Sequence, residues 1–201
     1  MRTTAFVAAF GLLLAACATA RVETSWKDPA VGPSDFAFEK VLVMVRVTDG
    51  AARRVGEDEL VRFLKSGPRG QAGELTADAS YRMLDDRDLA DRQKARALVE
   101  AQGFDGLVLM SFVSSQEKVT VQPPSYGTAW GYYGARPIVY DPGYVRTDTI
   151  LRVETTIYRV ADGKLLWTGI SRALNPKDVK DLVRDVAESV GDELRSQGLI
   201  P

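Results

Sequence analysis

The folded part of the chain begins with Lys40-Val41-Leu42-Val43-Met44-Val45-Arg46-Val47, which is a nearly continuous apolar run. Such a run is typical of a strand that is buried on both faces of a sheet. A helical pattern over residues 51–66 follows it, and a second apolar run occupies residues 104–113. Because two buried strands need cover on both sides, this spacing predicts helices packed on a sheet.

Between these two strands the chain carries a weaker strand pattern and a second helix pattern. Residues 75–83 alternate apolar and polar, and residues 88–102 carry an apolar stripe at helical spacing that ends at Gly103. A glycine there suits a helix C-terminus, because glycine adopts positive φ freely. The strand that begins at residue 104 is predicted to continue through Val119 and Val121.

The C-terminal part of the chain predicts a hairpin and a helix. Ala161-Asp162-Gly163-Lys164 separates two alternating runs, residues 150–160 and 165–171, and an Asp-Gly pair between such runs favours a tight turn. The last helix pattern has Asn175 as its predicted N-cap and ends at Gly198. We therefore expect an α/β or α+β domain in which about five strands form a mixed sheet with three helices packed on it, in the order β-α-β-α-β-β-β-α.

The composition excludes several classes of function. The chain has 201 residues, no histidine and one cysteine, so it contains no Ser-His-Asp or Cys-His relay, no histidine-ligated zinc or haem and no intramolecular disulfide. Its 26 basic and 27 acidic residues give a net charge of -1, which provides no overall basic field for nucleic acid. We expect a single domain with no cofactor or metal, no nucleic-acid partner and no enzymatic activity.

The N-terminus has the pattern of an export signal. One basic residue, Arg2, precedes an apolar run over residues 5–16 that is too short to span a bilayer as a helix. The run ends at Leu14-Ala15-Ala16-Cys17, which resembles the lipobox of bacterial lipoprotein precursors. The resemblance implies that residues 1–16 are a signal peptide, that the Cys17 thiol receives a diacylglyceryl group and that the new amino group is acylated. Because Ala18 rather than aspartate follows the cysteine, it also implies an outer-membrane lipoprotein that faces the periplasm.

A second cleavage site leaves an alternative open. Ala18-Thr19-Ala20 fits ordinary secretory cleavage, which would release a soluble periplasmic or secreted protein that begins at Arg21. Either cleavage gives an extracytoplasmic product.

Residues 17–39 are predicted to form the lipidated N-terminus and a tether, and residues 40–201 to form the domain. The stretch before residue 40 contains Pro29, Gly32 and Pro33 and has no persistent helical or strand period. Trp26 is the exception within it, since a tryptophan there either docks on the domain or sits among lipid headgroups.

An aromatic insertion at residues 122–146 is the main candidate for function. It is rich in glycine and proline and is long for a connection inside one domain, and such connections are usually functional or disordered. Aromatic side chains gather at binding surfaces, whereas the structural alternative is a segment that packs on itself or covers a sheet edge. Binding would suit an envelope protein, a glycan or the membrane interface. The candidate partner-binding residues are Tyr126, Trp130, Tyr132, Tyr133, Tyr140 and Tyr144.

Two acidic runs, Glu57-Asp58-Glu59 and Asp85-Asp86-Arg87-Asp88, are the densest groups of carboxylates. Both lie near predicted helix starts, where carboxylates oppose the positive end of the helix dipole. Neither has the spacing of a calcium loop, and we expect both to be solvated helix starts. A hydrolase would instead need two carboxyl groups that face each other in a cleft.

The predicted order of elements is similar to that of small domains in the curli-secretion lipoprotein, the periplasmic TolB N-terminal domain and the lipoprotein activator of a penicillin-binding protein. The similarity is one of topology, and it implies a non-enzymatic adaptor or assembly factor of the cell envelope. We therefore expect a membrane-anchored binding or assembly module. A glycan- or small-ligand-binding lipoprotein is the first alternative, and a carboxylate-based hydrolase is the second.

Overall fold

The computed structural model describes residues 20–66, 75–85, 87–88, 91–122 and 144–201. Two short 3-10 helices, Pro33–Phe36 and Ser80–Arg82, accompany the regular elements. In chain order the strands and α-helices are β1 (Ala20–Lys27), β2 (Lys40–Arg46), α1 (Gly50–Ser66), β3 (Thr76–Ala79), α2 (Arg92–Ala101), β4 (Gly106–Gln122), β5 (Tyr144–Arg159), β6 (Leu165–Leu174) and α3 (Val179–Ser196).

The strands form one mixed sheet in the order β1-β6-β5-β4-β2-β3. β2 runs parallel to both β3 and β4, and all other neighbours are antiparallel. The predicted α+β architecture is therefore confirmed, with six strands instead of about five. The additional strand is β1.

β1 corrects the prediction that residues 17–39 are a tether. It pairs with β6 from Ala20 opposite Ala173 to Lys27 opposite Trp167, and Phe36 further along is buried in the core. The part of the predicted tether that the structure describes therefore belongs to the domain. Trp26 lies within β1 with 48% of its surface exposed, so it is a strand residue and not a linker residue that has folded back.

Helices cover both faces of the sheet, as the apolar run at residues 40–47 predicted. Alternate residues of β2 point to opposite faces, because side chains alternate along a strand. Val41 and Val43 belong to the larger core, under α1 and α3, whereas Leu42 packs with Val99 of α2 and with Phe104. β2 is thus buried on both faces near the centre of the fold.

The C-terminal helix begins later than its sequence pattern predicted. Asp178 is the N-cap of α3, and its carboxylate accepts a hydrogen bond from the Asp181 N–H at 2.9 Å. Asn175, the predicted cap, lies before the helix with a φ of 50°, in the left-handed region that asparagine tolerates. Gly103 and Gly198 adopt positive φ after their helices, as predicted.

Two other elements are shorter than their patterns. The strand predicted over residues 75–83 is confined to Thr76–Ala79, because the chain turns into the 3-10 helix that follows. α2 begins at Arg92 and is capped by Asp91, whose carboxylate accepts from the N–H groups of Gln93 and Lys94. The predicted β5–β6 hairpin is present, with Gly163 at a φ of 67° in its turn.

Candidate binding surface

β4 and β5 continue beyond the rest of the sheet as a two-stranded arm. β2 accompanies β4 only as far as Ser111, and β6 accompanies β5 only to Ile150. Beyond that level the strand residues 117–122 and 144–149, which we call the arm, pair with each other and with no other described strand. At ~3.4 Å per residue the arm projects roughly 20 Å from the sheet. The predicted continuation of the strand through Val119 and Val121 is therefore confirmed.

The two faces of the arm differ in polarity. Residues opposite each other in an antiparallel pair share a face, and so do residues two positions apart along one strand. The pairs Val121–Val145 and Val119–Thr147 therefore lie on the same face of the arm. These three valines are 60% (Val119), 65% (Val121) and 67% (Val145) exposed, and we call them the apolar face. Glu117 opposite Thr149 lies on the same side, at the base of the arm. The other face carries the pairs Lys118–Asp148, Thr120–Arg146 and Gln122–Tyr144.

Asn175 fixes the base of the arm. Its backbone N–H donates to the Thr149 carbonyl at 2.9 Å, and its side-chain oxygen accepts from the Thr149 N–H at 2.7 Å. Its side-chain nitrogen donates to Asp148 Oδ1 at 2.8 Å, beside Arg146 Nε at 2.7 Å. The hydrogen bonds from Asn175 and Arg146 hold the pKa of Asp148 below its usual value. The left-handed backbone at Asn175 thus serves to clamp β5 where it leaves the sheet.

One of the six predicted binding residues, Tyr144, lies at the far end of the arm. Tyr144 is the first residue of β5, opposite Gln122, and is 59% exposed. The ends of the predicted insertion, residue 122 and residues 144–146, are strand residues. The other five candidates lie outside the described residues, namely Tyr126, Trp130, Tyr132, Tyr133 and Tyr140.

The start of β1 lies at the same end of the sheet as the arm. Ala20 is opposite Ala173 of β6, Ala173 is opposite Leu151 of β5, and Leu151 is opposite Ser115 of β4. Ala20 therefore lies level with the base of the arm. Cys17, the predicted lipid attachment site, comes three residues earlier in the sequence and lies outside the described residues.

A cavity of about 940 Å³ lies between α1 and α3 above the sheet. Its walls are largely apolar and include Leu60 and Phe63 of α1 and Val190 and Leu194 of α3. Thr155 lies among its lining residues with only 1% of its surface exposed, and its hydroxyl has no hydrogen-bond partner among the described residues. The volume suits a small ligand. Ser66 and Leu75 also line the cavity, and residues 67–74, which join them, lie outside the described residues.

The first acidic run is not a solvated helix start, which corrects the sequence prediction. α1 begins at Gly50, so Glu57 lies two turns inside the helix and is fully buried. Its carboxylate accepts from Arg53 Nε at 2.9 Å, from Ser80 Oγ at 2.8 Å and from two backbone groups, the Tyr81 N–H at 2.9 Å and the Val45 N–H at 3.2 Å. Glu59 is also buried and pairs with Arg62. Glu57 therefore joins α1 to the ends of β2 and β3.

The second acidic run forms local hydrogen bonds and an ion pair through Asp85 and Asp88. Asp88 lies 2.7 Å from Lys94 Nζ, and this contact, with the Asp85 N–H, holds the pKa of Asp88 below its usual value. Within the described ranges no three potential ligands come together as a metal site. None of the described helices combines the length and apolar character needed to cross a membrane.

The fold defines a class of α+β domain in which one helix covers one face of a six-stranded mixed sheet and two helices cover the other. No protein-family model matches the chain, and no curated protein matches it.

Several solved structures are similar to this chain in the arrangement of helices and strands. Two crystal forms of the PelC dodecamer from Paraburkholderia phytofirmans are 12% identical to it, cover 83% and 85% of this chain and 93% and 94% of their own, and have TM-scores of 0.44 and 0.43. Lipoprotein GNA1162 from Neisseria meningitidis is 14% identical over 78% of this chain and 98% of its own, with a TM-score of 0.39. A PDZ domain protein from Parabacteroides distasonis is 11% identical over 88% of this chain and 35% of its own, with a TM-score of 0.37.

Proposed function

We propose that this chain is a lipid-anchored protein of the bacterial cell envelope that acts as a non-enzymatic binding or assembly module. The observation that carries the proposal is the arm, which projects from the same end of the sheet at which β1 begins. A projecting element with exposed apolar residues is typical of a contact surface. In the sequence, the aromatic segment joins the two strands of the arm.

Anchorage through Cys17 agrees better with β1 than release after Ala20 does. Ala20 is only 3% exposed and is the first paired residue of β1. Cleavage after it would delete a core residue and leave a charged amino group at the edge of the core. Cleavage before Cys17 leaves β1 whole, and we propose that the lipid places the protein in the outer membrane, facing the periplasm.

The partner we propose is another envelope protein, held by the aromatic segment. Aromatic side chains with a polar tip supply contact area at low entropic cost. The test is recovery of the partner from cross-linked cells with a Trp130→Ala/Tyr132→Ala/Tyr133→Ala variant. We expect the recovered partner to decrease, whereas Trp26→Ala, which removes a half-exposed aromatic from β1, is the matched control and leaves recovery unchanged. Equal recovery of the partner with both variants would show that the aromatic segment does not bind it.

The cavity between α1 and α3 favours a second candidate function, a glycan- or small-ligand-binding lipoprotein. Its volume is within the range of known ligand sites, and the buried Thr155 hydroxyl offers a polar contact. Titration with peptidoglycan fragments should then change the tryptophan fluorescence. Val190→Phe, whose ring would occupy the cavity, should abolish that change. A flat response from the unaltered protein counts against this function.

A further inference from the structure

We propose that the apolar face of the arm lies in the interface of the membrane that holds the Cys17 lipid, so that the protein contacts this membrane at two places. The inference rests on the lipid anchorage proposed above. It adds a contact made by the protein's own side chains, Val119, Val121 and Val145.

The direction of the strands places the arm on the membrane side. β4 and β6 both run toward the arm end of the sheet, and β1 is antiparallel to β6, so β1 begins at the arm end. Its first residue, Ala20, lies level with Ser115 of β4. The arm begins two residues further along β4, at Glu117, and leaves through the same end of the sheet. The chain thus enters the domain from the side toward which the arm projects.

The distances make contact difficult to avoid. Two residues, Ala18 and Thr19, separate Cys17 from Ala20, and the three residue steps span at most roughly 10 Å when fully extended. The arm projects roughly 20 Å beyond the level of Ala20. The anchor therefore holds this end of the sheet closer to the membrane than the arm is long. An upright domain pushes the arm into the membrane surface, and a tilted domain lays the arm along it.

The chemistry of the two faces suits an interface. The three valines of the apolar face are all at least 60% exposed, and they share one side of the arm. Lys118 and Arg146 lie on the opposite side with Asp148, where lipid phosphates and water are both within reach. A two-stranded arm leaves unpaired backbone groups along its outer edges, so it stays at headgroup depth and does not enter the hydrocarbon core. The result is an element that lies in the interface with its apolar face toward the acyl chains.

The test uses the full lipidated protein in vesicles of phosphatidylethanolamine and phosphatidylglycerol. Cys17 is the only cysteine of the chain, and its thiol is consumed by the lipid, so an introduced cysteine is the only site for an environment-sensitive dye. Val119→Cys and Val145→Cys place the dye on the apolar face, and Thr120→Cys places it on the opposite face of the same arm. Ala161→Cys is the matched control in the exposed β5–β6 turn, at the far end of the domain.

We expect dye emission at positions 119 and 145 to shift to the blue, with iodide quenching severalfold weaker than at position 161. Spin-labelled lipids should quench positions 119 and 145 more than position 120. Equal iodide quenching at all four positions overturns the proposal. Protection at positions 119 and 145 that spin-labelled lipids do not quench, and that disappears when the protein is diluted at constant lipid, means that a second copy covers the face and also overturns it.

Intact mass of the purified protein separates the two proposals. If the chain is lipidated but its arm is exposed to water, the membrane-contact inference fails and the proposed anchorage stands. A chain that begins at Arg21 without acyl groups ends the anchorage and the inference together.

Discussion

Glu57→Gln tests whether the buried carboxylate holds α1 against the ends of β2 and β3. Glutamine keeps the shape of the side chain, but it removes the charge that Arg53 faces at 2.9 Å and turns a donor group toward other donors. Breaking one partner of a buried ion pair costs about 3–5 kcal/mol. The Arg53 side chain is 14% exposed and therefore keeps some contact with water, so we expect a loss near the lower end, about 3 kcal/mol.

The measurement is the free energy of unfolding from urea titration, with the slope m unchanged. At about 2–4 °C per kcal/mol for a domain of this size, the same loss lowers Tm by roughly 6–12 °C. Glu188→Gln on the exposed side of α3 is the matched control and should change stability by less than about 0.5 kcal/mol. If Glu57→Gln is no more destabilising than this control, the hydrogen bonds at Glu57 do not carry the role assigned to them.

Three further predictions concern the cavity, the arm and the β5–β6 turn. Thr155→Val keeps the shape of a buried side chain and removes its unpartnered hydroxyl, so the free energy of unfolding should rise by about 1 kcal/mol; a decrease would indicate that the hydroxyl binds water in the cavity. Asn175→Ala loses the bonds to Asp148 and Thr149 and leaves alanine at positive φ, which should cost about 1–3 kcal/mol and speed amide exchange in the arm; unchanged exchange would contradict the clamp. The Arg159 side chain and the Lys164 N–H lower the pKa of Asp162 from 3.8 to about 2. Because the pKa is lower in the folded state, the stabilising contribution of Asp162 is present above pH 3.8 and is lost as pH falls toward 2. Asp162→Asn should remove that part of the acid dependence, and an identical acid-unfolding curve would refute it.

The centre of the fold could be predicted because its signals are local and strong. The apolar run at residues 40–47 predicted burial on both faces, and β2 contributes side chains to the core on each face of the sheet. The Asp162-Gly163 pair predicted the β5–β6 turn, because few other residues reach positive φ without strain. In both cases the residues near one another in sequence carry the physical cause.

β1 could not be predicted in the same way. It is an edge strand, and most of its side chains are exposed. Ala20, Val22 and Trp26 do alternate with polar residues, which is a strand signal that the tether prediction missed. What holds it in the sheet is main-chain pairing with β6, which lies far away in the sequence. The side-chain pattern therefore indicates a strand but does not reveal its partner.

The prediction that Glu57 is solvated was wrong, although its spacing in the helix pattern indicated burial. Residues 57, 60, 61 and 64 recur at helical spacing, and Leu60, Val61 and Leu64 are apolar, so the carboxylate occupies the buried stripe of α1. Its four donors come from β2, α1 and the segment after β3, and no local pattern reveals them.

The binding role of the aromatic segment stays a prediction, because five of its six candidate residues lie outside the described residues. The aromatic composition of residues 122–146 indicated a special segment, and Tyr144, near its C-terminal end, is the first residue of β5. The projection of the arm follows from where β2 and β6 end, and this depends on the lengths of neighbouring strands.

The pairing of β1 with β6 sets the order in which the molecule can be completed. Ala20 finds Ala173 across ~150 residues of intervening chain, so closing this contact carries the entropic cost of a very long loop. During synthesis, β1 must therefore wait, unpaired, until β6 has followed it. Until β6 is made, the unpaired β1 is exposed to proteases.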